Sequence, residues 1–552
     1  MGKILDTPKV NELLTLVEES ARSTEASVKR FIEPAAGTLR TATSRRHHIV
    51  FGRRGSGKTS LLHKASADLT IDRRPIAYVD LETFKGHSYP DVLLSVLIAS
   101  FKEFKRWLET AAVHPATKTS FWKSLFGTTP ARPSYNRKDT ANLVKKLESE
   151  VKTLENELYA PEKSELKVVA GREGSEGVSA ELEAGVSSPV GVIRGKASTH
   201  VDVKRVSEVE ERFSKSKIDF LLRHIMEYQD LFRRLSEISG GDAFLFLDDL
   251  YQIPREDQSK VLDYFHRIAK GNGLWLKVGT IRHRTSWYIH GDPPCGMKID
   301  DDADQIDLDL TLEKYGLAKA FLVKLLRSFF DTLSLSGVSD YLTDGALDRL
   351  VLASGGVARD FLSIFRRSVT VARERGGGHR GEKIGVEDVN MAAGEHDTSK
   401  REEFKRDTHD SEAGALDQEF QRLQNFCLEQ ANSNCFLLDQ EKRGREIDLI
   451  HELVDLKLVH LVRSRVTVSK RQGRIYEAYM LDLSQYAGAR KRRELQIVEF
   501  WKQSSVEALR KISLIYYPGV TQTKIAENAG LQRSNPKKKH GNEGQVELNL
   551  QK

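Results

Sequence analysis

Residues 47–62 read HHIVFGRRGSGKTSLL and contain the pattern G-x-x-x-x-G-K-[ST]. Glycines at the bends allow closely spaced backbone N–H groups to face phosphate oxygens. The lysine brings a positive charge to the β- and γ-phosphates, and the hydroxyl after it can ligate Mg²⁺. The apolar run at 49–51 is typical of a buried strand, so the loop stands between a strand and a helix. The pattern predicts a nucleotide site formed by Gly52, Gly55, Ser56, Gly57, Lys58, Thr59 and Ser60.

A second motif follows at residues 242–249, which read DAFLFLDD. An apolar strand that ends in two acids, downstream of a phosphate-binding loop, is the Walker B arrangement. Asp248 is predicted to hold Mg²⁺ together with Thr59, and Asp249 to polarise the water that attacks the γ-phosphate. ATP and Mg²⁺ are therefore the expected cofactors, with Lys58 and Asp249 in the catalytic set.

The strand at 274–282, LWLKVGTIR, also ends in polar residues. Parallel strands bring their carboxyl ends to one edge of a sheet. Thr280 and Arg282 are therefore expected beside Asp248, near the γ-phosphate.

Composition bounds the class of protein. The chain has 552 residues, 39% hydrophobic and 30% charged, with a net charge of +7. This length predicts about two to four domains, and the charge permits nucleic-acid binding without requiring it. Three cysteines without metal-ligand spacing indicate a reducing compartment. The longest apolar segment, at 92–101, is too short to span a bilayer, so we expect a cytoplasmic protein with no membrane contact.

Further strands and helices are predicted on both sides of the glycine-rich loop. Residues 75–81 read as a strand and residues 89–111 as a helix, which predicts a parallel sheet covered by helices. Before the first strand the chain has helical periodicity. Phe31, Ile32 and Leu39 are the apolar candidates there for covering the base of a bound nucleotide.

Residues 115–215 interrupt this alternation and are predicted to be an insertion. Its apolar stripe fits equally a helix that packs on its own domain and a hairpin that binds a protein partner. Residues 162–205 fit either a small β-unit or a mobile loop. The stripe consists of Val144, Leu147, Val151, Leu154 and Leu158.

The C-terminal third reads as helices at 416–431 and 446–456, followed by strands within 460–483 around a basic turn. This outline of a winged-helix domain favours contact with the phosphates of double-stranded DNA. A merely solvated hairpin is the alternative, because exposed strands often carry Lys and Arg. The candidate DNA-binding residues are Arg463, Arg465, Lys470, Arg471 and Arg474.

Together these motifs resemble an AAA+ ATPase of the origin-recognition and replication-initiator branch. The resemblance covers about residues 30–395 and includes SGGVAR at 354–359. It implies an α/β P-loop core with an α-helical lid, in which Arg359 contacts the nucleotide and Thr280 or Arg282 senses the γ-phosphate. It also implies a homo-oligomer with an arginine finger from the next subunit, for which Arg284 is the candidate.

Some features depart from the initiator pattern. Asp249 stands where Glu is usual, and its shorter reach predicts slow hydrolysis. The paired acids and the strand end at 279–282 are also similar to the STAND signalling ATPases. A STAND-like nucleotide-gated switch, for instance in bacterial anti-phage defence, is therefore the alternative to a DNA-binding ATPase whose nucleotide state controls assembly or partner recruitment. In that alternative the insertion binds a protein partner.

These interpretations divide the chain into segments. They are an N-terminal helical segment at 1–40, the ATPase core at 41–310, the lid at 311–398, the winged helix at 399–485, and a C-terminal helix with a disordered basic tail at 486–552.

Overall fold

The computed structural model describes residues 4–20, 31–113, 135–159, 199–375, 382–407, 410–469, 471, 473–487 and 495–519. Predictions for the central part of the insertion, for Lys470 and for the basic tail lie outside these residues.

A five-stranded parallel sheet carries the phosphate-binding loop. The strands are, in spatial order, β2 (Ile76–Asp80), β3 (Ala243–Asp248), β4 (Leu274–Thr280), β1 (His48–Phe51) and β7 (Asp304–Asp307). β1 pairs in parallel with β4 on one side and with β7 on the other. The loop after β1 therefore lies at the carboxyl edge, between strands that are distant in sequence. The predicted α/β fold with a parallel sheet is confirmed.

The edge strand β7 was not predicted from the sequence. Of its residues Asp304–Asp307 only Ile306 is fully buried. Charged residues are common on edge strands because they discourage pairing with another chain. β7 consequently lacks the apolar run that identifies the central strands. β5 (Tyr288–Ile289) and β6 (Cys295–Gly296) form a separate two-stranded hairpin.

Helices cover both faces of the sheet. One face carries α2 (Thr38–Ala42) and α3 (Lys58–Ile71), and the other carries α4 (Asp91–Val113), α5 (Arg137–Leu158), α6 (Thr199–Ile238) and α7 (Arg255–Ala269). Val50 of β1 packs with α3, whereas Ile49 and Phe51 pack in the opposite core. A strand buried on both faces requires such apolar residues throughout. Within the described ranges, every helix is too short or too polar to cross a membrane.

Helix α5 decides between the alternatives for the apolar stripe of the insertion. Leu147, Val151 and Leu154 are buried in one cluster with residues of α4 and α6, and Val144 and Leu158 pack partly against it. The stripe therefore belongs to the core of its own domain. It is not an open surface for a protein partner.

The lid consists of helices α8 (Tyr315–Thr332), α9 (Val338–Tyr341), α10 (Asp344–Ser354), α11 (Ala358–Glu374) and α12 (Val386–Asp407). The N-terminal helix α1 (Pro8–Glu19) packs on it, with Val10, Leu13 and Val17 buried in the lid cluster. The Arg373 guanidinium of α11 donates to the carbonyl of Leu5 at 2.6 Å. The predicted N-terminal segment is thus joined to the lid.

The predicted boundary between residues 398 and 399 is wrong, because α12 continues through it to Asp407. The run after residue 399 is rich in Glu, Lys and Arg. These residues are also good helix formers, so a charged run alone does not indicate a linker.

The C-terminal domain, from Asp410 onward, has the predicted order of helix, helix and hairpin. Its elements are α13 (Asp410–Asn425), β8 (Cys435–Asp439), α14 (Arg445–Asp455), β9 (Val459–Val466) and β10 (Tyr476–Leu481). The strands form an antiparallel sheet in the order β8–β10–β9. The short strand β8 was not predicted.

The C-terminal helix predicted after residue 486 does not form within the described residues 495–519. The segment contains 3₁₀ turns at Gln503–Arg510 and Ile512–Leu514 instead. Its end runs beside β8, where the backbone N–H of Tyr516 donates to the carbonyl of Leu437 at 2.8 Å. The segment covers backbone groups that the edge strand β8 would otherwise expose, which a helix could not do.

Candidate nucleotide site

A cavity of about 250 Å³ lies where the phosphate-binding loop, the N-terminal segment and the lid meet. The loop lines it from Arg54 to Leu61, which includes Gly55, Ser56, Gly57, Lys58, Thr59 and Ser60 of the predicted set. Gly55 and Gly57 have φ angles of +87° and +101°. Side chains rarely adopt this conformation, so glycine is needed at both bends. Helix α3 begins at Lys58. The N–H groups in the first turn of a helix have no partner within the helix and can bind an anion such as a phosphate.

Lys58 is buried at the base of the cavity, with 5% of its surface exposed. Its Nζ donates to the carbonyl of Gly52 at 3.0 Å. An ammonium has three N–H donors, so this bond orients the side chain and leaves donors for phosphate oxygens. Gly52 itself does not line the cavity, but it holds the lysine.

Part of the cavity lining is apolar. Phe31 and Ile32 of the N-terminal segment line it together with Phe321, Leu325 and Phe329 of α8. Such walls suit the flat faces of a purine base. Two of the apolar candidates predicted for this role therefore line the cavity, while Leu39 packs against the sheet.

Asp248 ends β3 and is almost fully buried. Its Oδ2 accepts a hydrogen bond from the Tyr78 hydroxyl at 2.7 Å, and its Oδ1 accepts one from the backbone N–H of Asp249 at 2.9 Å. These bonds hold the carboxylate in one orientation. A Cβ added at Gly279 would lie 2.4 Å from the same carboxylate, so β4 needs glycine there.

Tyr78 was not identified from the sequence, although it lies on the predicted strand β2. β2 pairs in parallel with β3, and Asp80 of β2 lies beside Asp248. Tyr78 lies two residues before Asp80 on β2, so its hydroxyl can reach the Asp248 carboxylate. Burial, followed by the charge of Asp248, raises the pKa of Tyr78 well above its ordinary value. The tyrosine therefore remains a hydrogen-bond donor to the aspartate.

Replacing Tyr78 with phenylalanine is expected to raise the Mg²⁺ concentration needed for half-maximal hydrolysis by about tenfold or more, because partners that orient a metal ligand typically have this effect. The ring and its stacking on His63, with centroids 4.4 Å apart, would remain. Titrating hydrolysis with Mg²⁺ measures the shift. The same change at the exposed Tyr159 is the control, and an unchanged Mg²⁺ requirement for Tyr78→Phe would contradict the assignment.

Asp249 lines the cavity with a left-handed backbone, φ +55°. Burial, and next the charge of Asp248, raise the pKa of Asp249 to about 7, although Lys58 acts in the opposite direction. An acid with this pKa can accept a proton near neutral pH. Asp249 therefore lies in the cavity, and its role beside the attacking water stays a prediction.

Three carboxylates that could hold a divalent cation lie together beside the cavity. Carboxylate oxygens of Asp80, Glu82 and Asp249 lie within 4.8 Å of one another, and Glu82 also lines the cavity. Mg²⁺ prefers such hard oxygen donors. With Thr59, which lines the same cavity, this donor set fits a divalent cation, whereas the predicted ligand Asp248 does not line the cavity. Asp80 and Glu82 were not identified from the sequence, because only their pairing across the sheet places them here.

The predicted strand-end contacts require correction. The Thr280 hydroxyl is buried and lies 2.5 Å from the Thr285 hydroxyl. Arg282 stacks on Phe51 at 4.1 Å and donates to Gln305 of β7 at 3.1 Å. Neither Thr280 nor Arg282 is among the residues that line the cavity, so the structure does not support γ-phosphate sensing by either.

The lid residue Arg359 does line the cavity, as the resemblance implied. Its backbone N–H donates to the carbonyl of Gly55 at 3.3 Å. A Cβ added at Gly55 would lie 2.8 Å from the Cβ of Arg359. The phosphate loop and the first turn of α11 are therefore in direct contact.

No protein-family model matches the chain, and no curated protein matches it significantly. Among solved structures, the chain is similar to the Aeropyrum pernix ORC1 protein, solved in complex with DNA. The identity is 15%, the TM-score is 0.29, and the match covers 87% of this chain and 91% of that one. The assignment of function therefore rests on the site's own geometry.

The predicted DNA-binding residues lie on or near the β9–β10 hairpin. Arg463 and Arg465 are exposed on the same side of β9. Arg471 is half-buried in the turn, and Arg474 pairs with Asp439 at 3.0 Å. Lys470 lies outside the described residues. Among the four candidates that the structure describes, Arg463 and Arg465 combine exposure with a shared face.

Proposed function

We propose that this chain is a P-loop ATPase that binds Mg²⁺-ATP in the cavity and hydrolyses it slowly. The observation that carries the proposal is the convergence of Lys58, Thr59, Asp249 and Arg359 on one cavity, from three separate parts of the fold. Bound Mg²⁺ would neutralise phosphate charge and polarise the γ-phosphate. Lys58 and the first turn of α3 would bind the phosphate oxygens, and Asp249 would orient the attacking water and accept its proton.

We also propose that nucleotide state controls the C-terminal domain. Arg53, in the phosphate loop, donates to the carbonyl of Gly355 at 2.9 Å and to Asp309 at 3.2 Å. A Cβ added at Gly355 would lie 2.2 Å from the ring of His460, on β9. The phosphate loop therefore contacts the lid, and the same part of the lid contacts the C-terminal domain.

A buried ionic cluster joins the lid to the same domain. Asp482 accepts from Lys400 of α12 at 2.8 Å and from His460 at 2.7 Å, and all three side chains are about 1% exposed. Burial alone would raise the pKa of Asp482, but Lys400 and His460 hold it below its ordinary value. Asp360, next to Arg359, lies 3.3 Å from Lys457. Movement of the lid with nucleotide would thus be transmitted to the C-terminal domain.

The finer proposal is that the C-terminal domain acts as a winged helix that contacts double-stranded DNA. The exposed pair Arg463 and Arg465 supports it, because guanidinium groups on one face can bind successive phosphates. Assembly as a homo-oligomer on DNA, or recruitment of a partner, remains a prediction from the resemblance.

Changing Arg463 and Arg465 together to glutamate is expected to weaken DNA binding at every sequence. The slope of log affinity against log salt should fall by about two, since each phosphate contact contributes about one. Fluorescence anisotropy with duplex DNA at several salt concentrations measures both the affinity and its dependence on salt. Arg233→Glu with Arg234→Glu on α6 makes the same charge change on the ATPase core and serves as the control. Equal effects of the two pairs would reject a specific hairpin contact.

The proposed function is tested by ATP hydrolysis with and without duplex DNA at two salt concentrations. Turnover that DNA stimulates, and that salt and the hairpin variant suppress, is expected for a DNA-dependent ATPase. Absence of nucleotide binding would reject the ATPase proposal as a whole.

A nucleotide-gated switch is the second candidate, and helix α14 favours it. Its exposed residues include Glu446 and Asp448, whose charge opposes insertion into a DNA groove. The same helix is docked on the ATPase core, where Asp455 accepts from the backbone N–H of His283 at 2.9 Å and Glu452 pairs with Arg255 at 3.2 Å. ATP binding with slow turnover that ignores DNA would select this candidate.

A further inference from the structure

Helix α6 has an apolar face in the core and a second apolar surface on its outer side. On the outer side, Leu222 is 46% exposed and Met226 is 79% exposed. Within the described ranges, no other large apolar side chain is as exposed as Met226. Apolar side chains one turn apart on the outside of a helix can be buried by another helix. The buried face contains Leu221, Ile225, Tyr228, Phe232 and Leu235.

Met226 is the midpoint of a row of exposed or half-buried side chains along α6. Successive members of the row are three or four residues apart, so they share one face of the helix. At the rise of an α-helix, the row is about 33 Å long. Such spacing is typical of a seam between two helices. The row consists of Lys215, Asp219, Leu222, Met226, Asp230, Arg233 and Glu237.

The charges of the row change sign from one side of Met226 to the other. Lys215 lies eleven residues before Met226, and Glu237 lies eleven residues after it. Asp219 and Arg233 likewise lie seven residues before and after it. Each of these four residues therefore has one of opposite charge at the same distance on the other side. A second copy of α6 that runs antiparallel, with the two methionines together, would place each charge against its complement.

Some of these charges are not used within the chain. Among the residues that the structure describes, Asp219 and Glu237 form no ion pair. Arg233 contacts Asp230 of its own helix. A guanidinium has five N–H donors, so Arg233 can bind a second carboxylate as well. The outer face of α6 thus has charges available for a partner.

We propose that two copies of this chain associate through the outer face of α6, as an antiparallel pair of helices with a two-fold axis at Met226. Leu222 and Met226 would supply the buried apolar area, and the flanking charges would set the direction and register of the pair. A parallel pair is disfavoured, because each charge of the row would then face the same charge. The second copy is the partner that fits, since the row is complementary to itself.

This contact is separate from the nucleotide site. Among the described residues that line the nucleotide cavity, none belongs to α6. The inference therefore goes beyond the proposed ATPase function and does not rest on it. It also differs from the oligomer that the resemblance implies, in which an arginine reaches the nucleotide of the next subunit. We expect the pair to form with and without ATP, and in the Lys58→Ala variant.

Replacing Met226 with aspartate is expected to raise the dissociation constant of the pair by about tenfold or more, because two like charges then replace two apolar side chains at the axis. Sedimentation equilibrium over a range of chain concentrations measures this constant. Met391→Asp, at an exposed methionine of α12, is the control. A wild-type chain that stays monomeric throughout the micromolar range would overturn the proposal, and so would a dissociation constant that Met226→Asp leaves unchanged.

Exchanging charges tests the direction of the pair. Asp219→Arg and Arg233→Asp should each weaken self-association by about tenfold, because each places like charges together at two positions of the pair. An equimolar mixture of the two variants should recover the wild-type dissociation constant, and so should one chain with both changes. In a parallel pair neither single change would weaken association, since like charges already meet in the wild type. That result, or failure of both the mixture and the double variant to recover, would overturn the proposal.

Arg233 and Arg234 also serve as the control in the DNA-binding experiment. That experiment is therefore done at chain concentrations well below the dissociation constant of the wild-type pair. All variants are then monomeric, so a change in self-association cannot be mistaken for a change in DNA affinity.

Discussion

Replacement of Lys58 with alanine is expected to lower ATP hydrolysis by about a hundredfold or more, because a preorganised charge at the γ-phosphate is lost from a largely desolvated site. The side chain is buried and bonded to the carbonyl of Gly52 at 3.0 Å, so its charge is already in position before ATP arrives. Weaker ATP binding should accompany the loss. Phosphate release and fluorescent-nucleotide titration measure the two effects.

A matched control exists on the same helix. Lys64 of α3 pairs with Asp68 at 2.7 Å on the surface, so Lys64→Ala should retain both hydrolysis and binding. If Lys58→Ala bound ATP and hydrolysed it as the wild type does, the cavity would not be an ATPase site. Thermal stabilisation by Mg²⁺-ATP should likewise be present in Lys64→Ala and reduced in Lys58→Ala.

Replacement of Asp482 with alanine is expected to destabilise the contact between the lid and the C-terminal domain by about 3–5 kcal/mol, because it leaves the Lys400 ammonium buried without its partner. Both side chains are 1% exposed and lie 2.8 Å apart. Thermal unfolding and limited proteolysis between the domains measure the loss. Changing Lys400 to methionine and Asp482 to leucine together should recover part of it, since the buried ammonium is then absent while His460 still lacks its acceptor.

The pH dependence of this effect has a defined sign. The pKa of Asp482 lies below its ordinary value of 3.8 in the folded protein, so the pair stabilises the fold above that pH. The stabilisation is lost as pH falls further, and the difference between wild type and Asp482→Ala should shrink there. Asp301→Ala, which removes an exposed pair with Lys298, should leave the unfolding midpoint unchanged. A midpoint equally unchanged in Asp482→Ala would show that the cluster does not join the domains.

Local pattern was sufficient for the parts of the site that lie on single segments. The phosphate loop follows a buried strand, and Asp248 and Asp249 end another, as the spacing of glycines, apolar residues and acids indicates. Backbone conformation and burial of neighbouring residues determine these features, so they can be predicted from a short stretch. Arg359 was placed correctly in the cavity by the resemblance, which supplied the lid that local pattern does not.

Local pattern failed where contacts join distant segments. Arg282 and Arg284 lie two residues apart after β4, and nothing in the local sequence distinguishes their surroundings. In the structure Arg282 stacks on Phe51, whereas Arg284 lies over the ring of Tyr251. Tyr78 and Glu82 reach the site only because β2 pairs with β3. The C-terminal segment was predicted to be a helix, but pairing with Leu437 of β8 favours an extended chain at its end.

The sequence by itself determined the strands of the sheet interior, the glycine-rich loop after β1 and the two acids at the end of β3, because each depends on interactions within a few residues. The tertiary structure alone decided which of the predicted residues line the cavity, which tyrosine bonds to Asp248, and how Asp482 joins the lid to the C-terminal domain. Those outcomes depend on contacts between side chains that are distant in sequence. Sheet register and helix packing determine these contacts, and neither can be predicted from the spacing of residues within one segment.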